Sequence, residues 1–151
     1  MNTEENRTAS VLCVEITSFS FKADLPPHLF SQHDGRHGGG FIFDCRSLPN
    51  PGREEIFKSK TGLQPEVIAY LQAAPEVQSF RAHTFSLVDY AVRNFLERRF
   101  SFISVGFGCT GGQHRSVFFA EQLGQHLQET FREKVSPRIF HYNLKRLGMI
   151  P

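Results

Sequence analysis

One segment constrains the fold of this chain more than any other: a glycine-rich loop that stands between a short apolar run and a longer amphipathic one. The apolar run, Ser101–Phe107, is typical of a buried strand. The loop is Gly108–Ser116, and the helical spacing of the apolar residues after it predicts a helix over Arg115–Glu133. Strand, glycine turn and helix in this order form part of a βαβ unit, which requires parallel strands.

The rest of the chain repeats this alternation of strand and helix. Further strands are predicted at Val11–Phe19, Phe41–Cys45 and Pro137–Tyr142, and further helices at Gln64–Ala73 and Pro75–Arg99. We therefore predict an α/β fold, a single domain with a mainly parallel sheet of about four strands and about three helices. In such sheets ligands bind beyond the carboxyl ends of the strands.

Two segments fall outside this pattern. Residues 1–10 are polar and predict a flexible N-terminal tail, which leaves 11–151 as the folded domain. Lys22–Gly40 contains two prolines and three consecutive glycines, which predicts a surface loop.

Three histidines lie in the predicted loop Lys22–Gly40: His28, His33 and His37. Their spacing fits no familiar metal-binding motif, so no metal site is expected and the role of residues 28–40 stays open.

Charge and cysteine content exclude some classes of protein. The 151 residues carry a net charge of only +2, so nucleic-acid binding would need locally clustered cations. The three cysteines (Cys13, Cys45 and Cys109) have no CxxC spacing, which argues against a zinc site or a disulfide framework. The polar N-terminus lacks the apolar region of a signal peptide, and no apolar run has the length of a membrane span. We expect a cytoplasmic protein without a membrane partner.

The glycine loop has the composition of an anion-binding site. Gly111 and Gly112 permit close approach of a ligand, and successive backbone N–H groups of such a loop can surround an anion. The helix that follows adds free N–H donors and the positive end of its dipole. Four polar side chains crowd around the glycines: Thr110, His114, Arg115 and Ser116. We predict that the loop binds a phosphate group.

Catalytic motifs are less well supported. The chain has neither a GxGxxG fingerprint nor the lysine of a Walker A motif, so we expect no nucleotide hydrolysis and no cofactor. Cys109 and Arg115 have the C-x5-R spacing of cysteine-dependent phosphatases, in which Ser116 would follow the arginine as it does there. Catalysis by Cys109 and Arg115 is therefore an alternative. Gly108 stands where those phosphatases usually carry histidine, which favours a packing role for Cys109.

A second polar cluster begins at the end of the predicted strand Phe41–Cys45 and continues after it. Its members are Asp44, Arg46, Asn50 and Arg53. An aspartate at the end of a strand can accept hydrogen bonds from sugar hydroxyls or orient a neighbouring arginine. The cluster falls at the edge of the sheet where the glycine loop is expected, although a local Asp–Arg pair and an Asn-Pro turn would explain the same residues without a ligand.

Four segments resemble the RapZ family of RNase adapter proteins. Phe41–Pro51 is similar to that family's FDVRFLPNP segment, and Gly108–Ser116 is similar to its GCTGGKHRS segment, with Gln113 in place of lysine. Thr61–Leu63 matches its TGL, and Ser18–Lys22 resembles its SFGFK. The order and spacing agree over nearly the whole chain. Only the family's C-terminal domain is represented, because the Walker-type site of its N-terminal half does not occur.

The resemblance implies an α/β domain that binds RNA and senses an amino-sugar phosphate. The residues that it suggests for ligand binding are Asp44, Arg46, Asn50, Cys109, Thr110, Gly111, Gly112, His114, Arg115 and Ser116. Beside the resemblance, five cationic residues are candidates for RNA binding: Arg46, Arg53, Arg115, Lys145 and Arg146. We expect a regulatory, non-catalytic module for a phosphorylated small molecule, with an RNA-binding adapter that senses no metabolite as an alternative. The family's assembly implies a homo-oligomer.

Overall fold

Four parallel strands form the sheet. The computed structural model of the protein describes residues 10–30 and 39–151, and within them the strands are β1 (Leu12–Ser20), β2 (Gly40–Asp44), β3 (Phe102–Cys109) and β4 (Val135–His141). Their order across the sheet is β2-β3-β1-β4. The predicted α/β class and the parallel sheet are confirmed, and β1 and β3 lie at the centre.

The helices begin and end close to their predicted positions. They are α1 (Pro65–Gln72), α2 (Pro75–Glu97), α3 (Arg115–Phe131) and α4 (Tyr142–Arg146), with short 3-10 segments that include Pro51–Arg53 and Glu55–Phe57. Proline opens both α1 and α2, where its missing N–H costs no intrahelical hydrogen bond. The structure adds α4, a short helix in a segment that the sequence pattern leaves as an irregular tail.

Aromatic residues hold α2 and α3 against one face of the sheet. Phe107 of β3 stacks on Phe119 of α3 with ring centroids 5.8 Å apart, and Phe80 of α2 contacts both Phe43 and Phe119. Apolar side chains of this face belong to the main core of the domain, where burial of each large side chain stabilises the fold by about 1.5–3 kcal/mol. This packing against α2 and the sheet fixes the direction in which α3 leaves the end of β3.

Some sequence-based expectations concern parts of the chain that the structure does not describe. Residues 1–9 of the predicted tail, and His33 and His37 of the predicted loop, lie outside the described residues. The described part of Lys22–Gly40 includes a 3-10 turn at Pro27–Phe30, and the side chain of His28 lies outside the described part of the structure. The interpretation of these three histidines stays a prediction.

Candidate functional site

The glycine loop lies at the carboxyl ends of the strands, and its carbonyl groups are held by donors from other segments. Ser20 Oγ donates to Thr110 O over 2.6 Å, Asn143 Nδ2 donates to Gly111 O over 2.6 Å, and Gly62 N donates to Gln113 O over 2.9 Å. In a planar trans peptide the next N–H points opposite to the carbonyl. The N–H groups that follow these three carbonyls therefore point away from the donors that hold the loop.

Gly112 makes this loop geometry possible. Its φ of +62° lies in the left-handed region, and an added Cβ would approach Asn143 Cβ to 2.8 Å and Ser20 N to 2.9 Å. Any side chain here would push the loop away from β1 and from Asn143. Gly111 differs, because a Cβ there would meet no atom within 4 Å.

Helix α3 starts directly after the loop without a side-chain cap. His114 is the N-cap residue and its side chain makes no capping hydrogen bond, while its carbonyl accepts from Phe118 N. The first N–H groups of a helix have no acceptor within the helix, and the positive end of the helix dipole lies there. The N-terminus of α3 thus has donors available for an anion.

Arg115 is buried beneath the loop with only 3% of its surface exposed. Its Nη1 donates to the carbonyl oxygens of the segment after β2, over 3.4 Å to Cys45, 3.0 Å to Arg46 and 2.9 Å to Leu48. Its Nε is buried and has no hydrogen-bond partner within the described parts of the chain. One guanidinium group therefore joins α3 to the neighbouring loop and keeps one buried donor unsatisfied, which is costly unless a ligand accepts from it.

His114 is also buried, with 7% of its surface exposed. Its Nε2 lies 2.9 Å from Phe57 O, so this nitrogen carries the proton and donates to the carbonyl. Burial lowers the pKa of the imidazole below its ordinary value, and the charge of Arg115 acts in the same direction. The neutral ring leaves Nδ1 as a hydrogen-bond acceptor.

Gln113 attaches the loop to the segment before α1. Its Nε2 donates to Lys58 O over 2.9 Å and to Lys60 O over 2.7 Å. Because both partners are carbonyl oxygens, only the amide nitrogen can face them, which fixes the orientation of the side chain. Through these bonds and the bond from Gly62 N to Gln113 O, the segment before α1 holds this side of the glycine loop.

A pocket of about 190 Å³ opens where these segments meet. It is lined by Asn50, Gly52, Cys109, Thr110, Gly111, Gln113, His114 and Arg115. This volume is below the range of about 300–1,000 Å³ that is typical of drug-sized ligands, and it suits a small polar group. The pocket brings together residues of both sequence clusters, namely residues of the glycine loop and Asn50 of the second polar cluster.

Asp44 and Arg46 lie at the same edge of the sheet but do not line the pocket. Arg46 donates to both carboxylate oxygens of Asp44, with Nη2 2.7 Å from Oδ2, and its guanidinium lies 4.2 Å from the ring centroid of Phe21. The hydrogen bond from Arg46 holds the pKa of Asp44 below its ordinary value. The local Asp–Arg pair that the sequence left as one interpretation is present, and both side chains are about half exposed.

Cys109 and Ser116 contact each other under the loop. The Cys109 thiol donates to Ser116 Oγ over 3.2 Å, with 2% of Cys109 and none of Ser116 exposed. Cys45 is buried as well, and this burial raises the pKa of its thiol. Both thiols are thus packed in the interior, and the Arg115 Nη1 that the phosphatase alternative would use donates to backbone carbonyl oxygens.

The residues predicted for RNA binding divide into two groups. Arg115 is buried, whereas Arg46, Arg53, Lys145 and Arg146 are exposed. Arg53 follows Gly52 at one side of the pocket. Lys145 and Arg146 belong to α4, whose Asn143 holds Gly111.

Sequence reasoning did not select Ser20, Gly52 or Asn143. Ser20 ends β1 and Asn143 lies two residues after β4, so both follow the carboxyl end of a strand as the selected residues do. A search for polar residues at the carboxyl ends of all four strands would have found both Ser20 and Asn143. Gly52 follows Asn50, whose side chain accepts from Gly52 N, and only the fold places this turn against His114.

Comparison with known proteins gives a consistent result. The family model described as the RapZ C-terminal domain matches residues 12–144. The chain is 35% identical over 128 residues to a nucleotide-binding protein of Stenotrophomonas maltophilia, covering 85% of the chain and 40% of that relative. A nucleotide-binding protein of Thermotoga petrophila is 37% identical over 115 residues, which cover 76% of the chain and 37% of the relative.

A nucleotide-binding protein of Solibacter usitatus is 31% identical over 133 residues, which cover 87% of the chain and 38% of the relative. The chain thus spans about two fifths of the length of the curated relatives that it matches. Within the described ranges, no helix combines the length and the apolar character that crossing a membrane requires.

Proposed function

Since this chain belongs to the RapZ C-terminal domain family, we propose that it is a non-catalytic module that binds a phosphorylated sugar in the pocket between the glycine loop and Asn50. The observation that carries this proposal is the buried, unsatisfied Nε of Arg115 beside the uncapped N-terminus of α3. A phosphate oxygen would satisfy both kinds of donor, and charge-assisted hydrogen bonds of this type are stronger than neutral ones.

Sugar hydroxyls provide the second part of the argument. Among the residues that line the pocket, His114 is kept neutral and offers Nδ1 as an acceptor. A ligand with hydroxyl or amino donors next to its phosphate would match this acceptor, and an amino-sugar phosphate has both. The site needs no cofactor for this role.

Calorimetric titration with a hexosamine 6-phosphate, glucose 6-phosphate and unphosphorylated glucosamine tests the proposal. We expect both phosphate esters to bind and the free amino sugar to fail. Thr110→Val removes a hydroxyl from the pocket, and Arg115→Lys keeps the charge but removes Nε, so each variant should weaken binding about tenfold. Thr130→Val, an exposed position near the far end of α3, is the matched control and should bind as the unaltered protein does.

The proposal fails if no phosphate ester is bound, or if Thr110→Val and Arg115→Lys both bind as tightly as the control. The phosphatase alternative predicts something different, namely release of inorganic phosphate that disappears in Cys109→Ser. Equal background release from both proteins would remove that alternative.

RNA binding is a second candidate function, which is favoured by exposed cations on both sides of the pocket. Arg53 lies beyond Gly52 on one side, and Lys145 and Arg146 lie on α4 on the other. Filter binding over a range of salt concentrations tests it. Replacing Lys145 and Arg146 by alanine should reduce the slope of log affinity against log salt by about one for each lost phosphate contact. An unchanged slope would count against an RNA interface at α4.

A further inference from the structure

The pocket has few positive charges for a site proposed to hold a phosphate ester. Among its eight described lining residues, Arg115 carries the one permanent charge, and its Nη1 already faces three carbonyl oxygens. The nearby ammonium groups of Lys58 and Lys60 are paired with carboxylates of Glu55 and Glu66. Most of the donors left for an anion are therefore neutral N–H groups.

Gln113 occupies the position where a further cation could stand. Its amide nitrogen donates to Lys58 O and Lys60 O while the residue lines the pocket. The resembling family segment has lysine at this place, and an ammonium group could donate to the same two carbonyl oxygens while adding a full positive charge. Glutamine keeps the attachment between the two segments and omits the charge.

This difference matters for the charge of the ligand. A doubly charged anion loses more hydration on entering a pocket than a singly charged one, and nearby cations are needed to offset that cost. With Arg115 as the permanent cation of the lining, the stronger attraction of a dianion is opposed by its larger desolvation cost, so two tetrahedral groups of equal shape but different charge should bind about equally. We propose that Gln113 sets the charge preference of this pocket, so that a sugar sulfate ester binds about as tightly as the corresponding phosphate ester. The inference rests on the proposed sugar-phosphate site and extends its ligand class to singly charged tetrahedral anions.

The test compares glucose 6-sulfate with glucose 6-phosphate by calorimetry at pH 8. The phosphate ester is then doubly charged, because its second pKa is about 6, and the sulfate ester is singly charged. In the unaltered protein we expect dissociation constants within about threefold of each other. Gln113→Lys should shift the ratio at least about tenfold in favour of the phosphate ester, because it adds one charge-assisted interaction. Gln113→Arg provides a second cationic variant if the lysine variant does not fold.

Gln113→Met is the matched neutral control. It loses the hydrogen bonds to Lys58 O and Lys60 O, so it should weaken both esters while leaving their ratio unchanged. A phosphate preference of more than about tenfold in the unaltered protein, or an unchanged ratio in the cationic variants, overturns the inference while the proposed function stands. Binding of neither ester overturns the proposed function itself, and this inference with it.

Discussion

Two neighbouring glycines in the loop have different structural requirements. Gly112 has a positive φ and no room for a Cβ between Asn143 and Ser20, whereas Gly111 has open space around its Cα. From the sequence alone, the two glycines have the same interpretation as flexible loop residues. The distinction arises because Asn143 Cβ and Ser20 N lie next to the position that a Cβ of Gly112 would occupy, whereas no atom lies within 4 Å of that position at Gly111.

Gly112→Ala should therefore destabilise the protein, by about 1–3 kcal/mol, because a left-handed backbone and a steric clash are combined at this position. Gly111→Ala is the matched control and should change the free energy of unfolding by less than about 0.5 kcal/mol. Urea denaturation of the two variants provides the measurement. Equal stabilities would mean that the loop relaxes freely around an added methyl group.

His114 provides a pH-dependent contribution to stability. Burial lowers its pKa in the folded protein below the ordinary value of 6.5, so the unfolded chain takes up a proton first as the pH falls. The contribution is fully present above pH 6.5 and is lost as the pH falls towards the folded pKa. His114→Gln should accordingly show a smaller loss of unfolding free energy than the unaltered protein between about pH 7.5 and 5.

Denaturation curves at several pH values measure this difference. His126, which lies beside Asp89, and His141, which lies beside Glu121, are present in both proteins, so the comparison isolates the effect of His114. Parallel pH profiles for the two proteins would show that His114 is not the group that titrates.

Helix α4 is the element that shows most clearly how packing overrides a local pattern. It has only five residues, too few to be stable alone, and it is held by buried Asn143 and Leu144. Its place in the structure matters because Asn143 Nδ2 donates to Gly111 O. A segment that resembles a tail in the sequence thus supports the glycine loop.

Asn143→Ala should reduce stability by about 1 kcal/mol or more and weaken phosphate-ester binding, because Gly111 O loses its donor and the loop loses a support. Leu147→Ala, an exposed position immediately after α4, should change neither property. Thermal denaturation with and without ligand measures both effects. Normal binding by a destabilised Asn143→Ala protein would show that α4 stabilises the fold without shaping the loop.

At the scale of the whole molecule, the order of the strands determines where the site lies and which strands open most easily. β1 and β3 each pair with strands on both sides, whereas β2 pairs with β3 alone among the described strands. Hydrogen exchange should consequently be slowest in β1 and β3, which open only on global unfolding, and faster in β2. Exchange in β2 as slow as in β3 would indicate that further contacts protect this edge.

Much of this architecture could be predicted from residues that are close together in the chain. The apolar run of β3, the glycines after it and the helical spacing after Arg115 determine a strand, a loop and a helix whose first N–H groups lie next to the loop. The prolines at Pro65 and Pro75 likewise locate the starts of α1 and α2. These features follow from local geometry, which is why the predicted fold class is confirmed.

The partners of the individual side chains depended on the tertiary structure. Arg115 donates to carbonyl oxygens of residues that precede it by 67 to 70 positions, and Asn143 reaches Gly111 across 32 positions. No local pattern specifies such pairs, because a hydrogen bond between distant segments forms only after the sheet order brings them together. The sequence by itself determined that a glycine-rich loop precedes α3, and it predicts that this loop binds an anion. Tertiary packing decided that Arg115 is buried against the neighbouring loop and that Gln113 donates to the carbonyl oxygens of Lys58 and Lys60, 55 and 53 positions earlier in the chain.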